Sequence, residues 1–249
     1  MGALHMALID EARRRSDLVV VSIFVNPLQF NRSDDFDQYP RPIDDDVDAC
    51  RAAGVAAVYA PTAAVMYPDG FQTHIEPGPL ADSLEGSSRP GHFRGVATVV
   101  AKLFGAIQPD VAVFGQKDFQ QLAIIRRMVS DLDMGIEIVG APTLRESNGL
   151  AISSRNSRLT ADDRRAAVCI VQALHLASAA LEAGERDTAR LLGLATERIL
   201  AEPRATLDYL EIVDPVTLDP LVFIDGPATI VAAVSFGDVR LIDNLPLLA

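Results

Sequence analysis

The chain has 249 residues, enough for one or two domains at roughly 150 residues each. It is 49% apolar and 22% charged, with 16 Gly and 15 Pro, which excludes a disordered or collagen-like chain. A net charge of −12 argues against nucleic acid or an anionic membrane as the main partner.

In chain order, Leu18 to Val25 is a short run rich in β-branched residues without alternation. That pattern predicts a strand buried on both faces. Asp44 to Ala53 reads as an acidic helix, and Ala56 to Ala60 as a strand stopped by Pro61. From Val96 to Ile107 the apolar residues form a helical stripe, ended by Pro109. A strand at Val111 to Phe114, a helix from Asp118 to Leu132 and a strand at Ile136 to Val139 follow. This alternation predicts a parallel α/β sheet with ligands at the carboxyl ends of its strands.

The second part differs. Ser147-Asn148-Gly149 is a turn signal, and Thr160 begins a capped helix predicted to run to about Ala183. A further helix spans about Thr188 to Ala201. Short strands are expected near Leu207 to Val213, Thr229 to Val234 and Val239 to Ile242. The expected domains are therefore residues 1–143, Rossmann-like, and 144–249, a small α+β C-terminal lid domain.

Cys50 and Cys169 lie far apart, which disfavours a disulfide framework or a cysteine-rich zinc module. No apolar run reaches the length of a membrane span, and no basic-then-apolar leader opens the chain. The expectation is a soluble cytoplasmic protein. All basic residues but Lys102 and Lys117 are Arg. A chemical reason for keeping a lysine and genome base bias explain this equally well.

The G-x-G-x-x-G, P-loop and H-E-x-x-H motifs are absent, and the four histidines are scattered. No local metal site is expected. Gly115-Gln116-Lys117-Asp118 joins a strand to a helix, where backbone N–H groups and Lys117 can face an anion. A helix cap beside a solvated lysine explains the same residues. Gln120 or Gln121 could point into the cleft. Ser153-Ser154-Arg155-Asn156 could hold a triphosphate or simply cap a turn. Asn26 and Gln29 follow the first strand, at the expected cleft or in a plain Asn-Pro turn. Arg89 to Gly95 is a basic, Gly-rich entry to a helix, with His92 read as a structural loop residue. Asp44-Asp45-Asp46 reads as an acidic first helical turn rather than a Mg²⁺ site.

Taken together and in order, Met1 to His5, Ser22 to Phe30, Arg89 to Val96, Phe114 to Gln121 and Ile152 to Asn156 resemble the pantothenate synthetase family. Arg240 to Asn244 extends the resemblance to the end of the chain. It implies ATP-dependent condensation of pantoate with β-alanine through a pantoyl-adenylate, releasing AMP and pyrophosphate. It also implies Mg²⁺ accompanying ATP, a homodimer in the cytoplasm, and a place in coenzyme A biosynthesis. The resemblance gives Met1, Gly2, Ala3, Leu4 and His5, Gly115 to Asp118, Leu144, and Ile152 to Arg155 to ATP. It gives Gln29 and Gln121 to pantoate, with Gln29 also bordering β-alanine, and makes His5, Lys117 and Arg155 catalytic.

Two departures carry expectations of their own. The family's opening motif reads M-G-A-L-H-x-G-H, whereas Met1 to His5 runs straight into Met6-Ala7-Leu8-Ile9. His5 therefore stands for either family histidine. The family also places a strand before this motif, so the chain as written is expected to leave strand edges unpaired and to be less active and less stable than a complete member. The alternative expectation is a non-catalytic or impaired nucleotide-binding homologue.

Overall fold

Apolar runs punctuated by Gly and Pro become short strands, and the striped segments between them become helices. A computed structural model describes residues 2–29 and 43–247. Met1 and Phe30, named above in two motifs, lie outside the described residues. The chain forms two units. The first comprises Met1–Gln116 with Gln120–Ala141, and the second Lys117–Phe119 with Pro142 onward.

In the first unit the helices are α1 (Ala3–Arg13), α2 (Ile43–Ala52), α3 (Ala63–Met66), α4 (Glu85–Ser88), α5 (His92–Ile107) and α6 (Phe119–Asp131). The strands are β1 (Val20–Ser22), β2 (Ala57–Tyr59), β3 (Val111–Gly115) and β4 (Glu137–Ala141). Asp44, Asp45 and Asp46 occupy the first turn of α2, where the amide dipoles favour negative charge. The α5 stripe of Val96, Val99, Val100 and Phe104 packs with Ile124, Ile125 and Met128 of α6. Gln108 ends α5 in the left-handed region, its N–H donating to Phe104 O at 2.8 Å just before Pro109.

Strand pairing is parallel, β1 with β2 and β3 with β4, as the alternation requires. The pairs are separate: among the described residues no ladder joins β1 to β3. This corrects the expected strand from Leu18 to Val25. Only Val20–Ser22 is strand, Leu18 is 75% exposed and Val20 is 40% exposed. A strand paired along one edge lacks the cover that the apolar run anticipates. Arg89 to Gly95 is the entry to a helix, as expected, but His92, read as a loop residue, is buried and opens α5.

The second unit contains α7 (Ala161–Ala166), α8 (Val168–Glu182), α9 (Thr188–Leu200), β5 (Ala205–Val213), β6 (Ala228–Phe236) and β7 (Val239–Leu247). Its sheet is antiparallel in the order β5-β6-β7. Central β6 is buried almost throughout, and Ile170, Leu174, Leu191 and Ile199 from the helices share a core with Ile230, Val234 and Phe236. Pro246 lies on edge strand β7, the tolerated place for a residue without an N–H. The helix expected from Thr160 to Ala183 forms as α7 and α8 joined through Ala167, which keeps helical torsions and donates its N–H to Asp163 O at 2.8 Å. By length and composition alone Ala161–Glu182 passes for a membrane-crossing helix, a test that a buried core helix also passes. Half of its most apolar window is buried, and Ile170, Leu174 and Leu181 belong to the unit's core.

Both cysteines are buried and form no disulfide, Cys50 beside Ile9 and Ala53 and Cys169 in the second unit's core. Burial raises the pKa of both, that of Cys169 to about 11.

Candidate active site

Beyond β1 the chain turns through Pro27–Gln29, and a buried network sets that turn. The Tyr67 hydroxyl donates to Asn26 Oδ1 at 2.7 Å, and Leu28 N donates to the same oxygen at 3.2 Å. Asn26 Nδ2 donates to Gly95 O at 3.1 Å and to Gln29 Oε1 at 3.3 Å. Burial pushes the Tyr67 phenol up to about 12, so it remains a neutral donor. The Gln29 carbonyl accepts from Arg89 Nη2 at 3.1 Å and from His92 Nδ1 at 2.9 Å. Arg89 Nη1 meets His92 Nε2 at 3.1 Å. A guanidinium only donates and a carbonyl only accepts, so His92 is neutral with its proton on Nδ1. The Gln29 amide oxygen is engaged by Asn26, and its NH₂ end makes no hydrogen bond to a described residue. Close backbone packing completes the turn: a Cβ on Gly95 would lie 2.3 Å from Leu28 O.

Gly115 ends β3, and Gln116 N crosses to Ala141 O at 2.8 Å. Lys117 is buried, with Nζ 3.9 Å from Oδ1 of exposed Asp118. Of the two glutamines opening α6, Gln120 is structural. Its amide donates to Leu80 O and Ser83 O, both at 2.8 Å, and its Oε1 accepts from Glu85 N at 2.9 Å. Gln121 is half-buried, and its amide makes no hydrogen bond to a described residue.

His5 lies in the first turn of α1, with Nδ1 accepting from Gly2 N at 3.3 Å. That leaves the ring proton of the neutral form on Nε2, available as a donor. Its ring is exposed, yet surrounding protein lowers its pKa by desolvation. The N-terminal charge adds to this and Asp46 opposes it. Gly2 and Ala3 are exposed and Leu4 is half-buried.

In the second unit, Leu144 and Ile152 face each other across a hairpin. Ile152 N donates to Leu144 O at 2.8 Å, and Arg145 bridges Ala151. The turn is Ser147-Asn148-Gly149, with Gly149 at φ +91°. Ser153 Oγ accepts from Arg155 N at 3.2 Å and caps the turn Ser154–Arg158. Ser154 and Arg155 are exposed, and Arg155 has no ion pair with a described carboxylate. Glu146 braces both pieces, accepting from Asn156 Nδ2 at 3.1 Å and from Arg164 Nη2 at 2.6 Å. Hydrogen bonding from Arg164 holds its carboxyl below the ordinary value, against a smaller cost of burial.

Arg145 also forms a bidentate pair with Asp243 of β7, at 2.7 and 3.0 Å. Asp243 is 4% exposed. Breaking such a pair leaves a charge without its partner and costs about 3 kcal/mol, the lower end of the usual range because Arg145 keeps some solvent contact. Asp243→Asn is therefore expected to lower unfolding free energy in a denaturant titration by about that amount. A loss below about 1 kcal/mol would show the pair to be solvent-relaxed. Among the described residues no three His, Cys, Asp or Glu side chains gather as a metal site.

The pantoate-beta-alanine ligase family model matches residues 1–246. The chain belongs to that family. The pantothenate synthetase of Syntrophotalea carbinolica is 50% identical over 98% of this chain and 87% of its own length. The crystal structure of pantothenate synthetase from Thermus thermophilus superposes with a TM-score of 0.96 at 44% identity, covering 100% of this chain and 90% of that one. A pantoate-beta-alanine ligase from Francisella tularensis, complexed with beta-gamma ATP and beta-alanine, superposes at 0.78 with 34% identity, over 98% of this chain and 85% of that one. The alternative of a non-catalytic homologue finds no support in these relatives.

Within the family's motifs, the structure brings Leu144 and Ile152 together and separates the roles of Gln120 and Gln121. No hydrogen bond links His5, Gln29 and Gln121 to one another. The motifs gave no hint of Tyr67, Arg145 or Glu146, and Asp243 fell within the Arg240 to Asn244 segment without a role. Tyr67 bonds Asn26 41 residues away and Arg145 bonds Asp243 98 residues away, and no local pattern announces either pairing.

Proposed function

We propose that the chain joins pantoate to β-alanine at the expense of ATP. A pantoate carboxylate oxygen attacks the α-phosphorus and pyrophosphate leaves, giving pantoyl-adenylate. The β-alanine amine then attacks the acyl carbon, AMP leaves, and the amine proton passes to solvent or a nearby base. The carrying observation is the family match along the whole chain, with Lys117 buried at the end of a parallel strand.

On this reading Lys117 and Arg155 offset charge building on the α-phosphate. The backbone of Gly115, Gln116 and Asp118 and the segment Ile152 to Ser154 hold phosphate oxygens. Leu144 contacts adenine through its backbone, and Gly2, Ala3 and Leu4 line the nucleotide, together with Met1 outside the described residues. His5 donates a proton from Nε2. Gln29, whose NH₂ end meets no described acceptor, and Gln121 hold pantoate, and Gln29 borders β-alanine. A Mg²⁺ ion accompanying ATP would supply charge neutralisation at the phosphates, a role that needs no dedicated protein cage. Asp118 is the exposed carboxylate beside Lys117 that would steady it. The protein works in the cytoplasm as a homodimer, within coenzyme A biosynthesis.

The test is pyrophosphate release with ATP, Mg²⁺ and pantoate, with and without β-alanine. Pantoate-dependent release is expected in both, with AMP and pantothenate in equal amounts only when β-alanine is present. Folded protein giving no pantoate-dependent release would overturn the reading.

A further inference from the structure

Lys117–Phe119 is set off from the residues on either side of it. Gln116 and Gln120 belong to the first unit, whereas these three residues group with the C-terminal one. The hydrogen bond that holds them there is specific. Asn244 of β7, 6% exposed, donates from Nδ2 to the Lys117 carbonyl at 3.0 Å. Asn244 is itself held by its neighbours: its N–H donates to Asp243 Oδ1 at 2.8 Å, and its carbonyl accepts from Arg145 Nη2 at 3.4 Å. Arg145 adjoins Leu144, so one corner of β7 braces both segments given above to the nucleotide.

We propose that Asn244 is a positioning residue, whose buried amide holds the Lys117 carbonyl and so fixes where the Lys117 ammonium points. This role rests on the reading of Lys117 as an ATP-facing group. A carbonyl pinned on the C-terminal sheet restricts the backbone torsions on either side of it, and the lysine stem follows from there. Misplacing a charge by about 1 Å at a reacting phosphate is enough to cost on the order of 10²-fold in rate.

Asn244→Ala is expected to lower kcat for pantoate-dependent pyrophosphate release by about 10²-fold while leaving the KM for pantoate within about threefold. Asn244→Asp keeps the shape but sets a carboxylate against a carbonyl. Its titratable and charged neighbours are Asp243, Arg145 and Lys117. It should be as slow as the alanine variant at pH 8 and recover about tenfold relative to wild type at pH 6, where the protonated carboxyl can donate. The double variant Asn244→Ala/Lys117→Met should be no slower than Lys117→Met alone, since one residue acts through the other.

Unchanged kcat in Asn244→Ala, a pH profile of Asn244→Asp parallel to that of wild type, or additive losses in the double variant would each overturn the proposal. Should the alanine variant fail to fold, the aspartate variant decides. Should wild type itself release no pyrophosphate, the functional reading fails separately. Amide hydrogen exchange then still tests the contact: Lys117–Phe119 should exchange faster in Asn244→Asp than in wild type at pH 8, and equal rates would overturn it.

Discussion

Lys117→Met should slow pantoate-dependent pyrophosphate release by about 10²–10³-fold, equivalent to roughly 3–4 kcal/mol of transition-state stabilisation. Adenylation concentrates negative charge on the α-phosphate and its departing pyrophosphate. On the proposed reading the buried Lys117 ammonium would meet that charge with little water between, and would be ordered before the reaction begins. Methionine keeps the length and apolar stem of the side chain while deleting the charge, so the fold should persist. Lys102, the other lysine, is the natural control. Its Nζ sits 5.2 Å from the centroid of Phe71, a surface cation–π contact, and Lys102→Met should change the rate by less than about threefold. Steady-state pyrophosphate assays on both variants decide the matter. A Lys117→Met enzyme within tenfold of wild type would remove Lys117 from the chemistry.

Gly95→Ala is expected to destabilise the chain by about 3 kcal/mol or more, or to prevent soluble expression. The new Cβ would lie 2.3 Å from Leu28 O, 2.6 Å from Leu28 C and 3.0 Å from Gln29 N. These are backbone atoms of a turn already tied to Asn26, Arg89 and His92, so they cannot yield as a flexible side chain would. On the proposed reading any folded fraction should also bind pantoate more weakly, because the displaced backbone carries Gln29. Gly105→Ala is the counterpart in the same helix. Nothing lies within 4 Å of its added Cβ, so it should stabilise by up to about 1 kcal/mol through helix propensity alone. Thermal melts of the two variants should therefore move in opposite directions. If Gly95→Ala melts like wild type, α5 has slid away from the turn and the close packing is not required.

The alternation of elements in the first half was legible because each apolar run ends in a breaker and each helix keeps its stripe. Gly54 separates α2 from β2, Pro61 follows β2, and Pro109 separates α5 from β3. The pairing partners were not legible. The run from Leu18 to Val25 reads the same whether a strand has two neighbours or one, so its exposure at Leu18 and Val20 left no trace in the sequence. The passage from α7 into α8 through Ala167 was legible, because that residue is a strong helix former with no stop signal beside it. Gln120 and Gln121 are chemically identical and adjacent. Only the carbonyls of Leu80 and Ser83, about 40 residues away in sequence, show which one is structural. The tight turns behaved oppositely. Ser147-Asn148-Gly149 was readable because its glycine adopts a positive φ that few other residues accept.

The sealed thiols have a practical consequence. With Cys50 and Cys169 at 0% and 1% exposure and their thiolates disfavoured, the native chain offers maleimide reagents almost nothing to react with. A single cysteine introduced at an exposed position such as Ser154 or Ala3 would then be the one site that labels under native conditions. Dyes or spin labels can be placed without first removing the natural cysteines, and the rate at which Cys50 or Cys169 does become labelled would report how often each core opens.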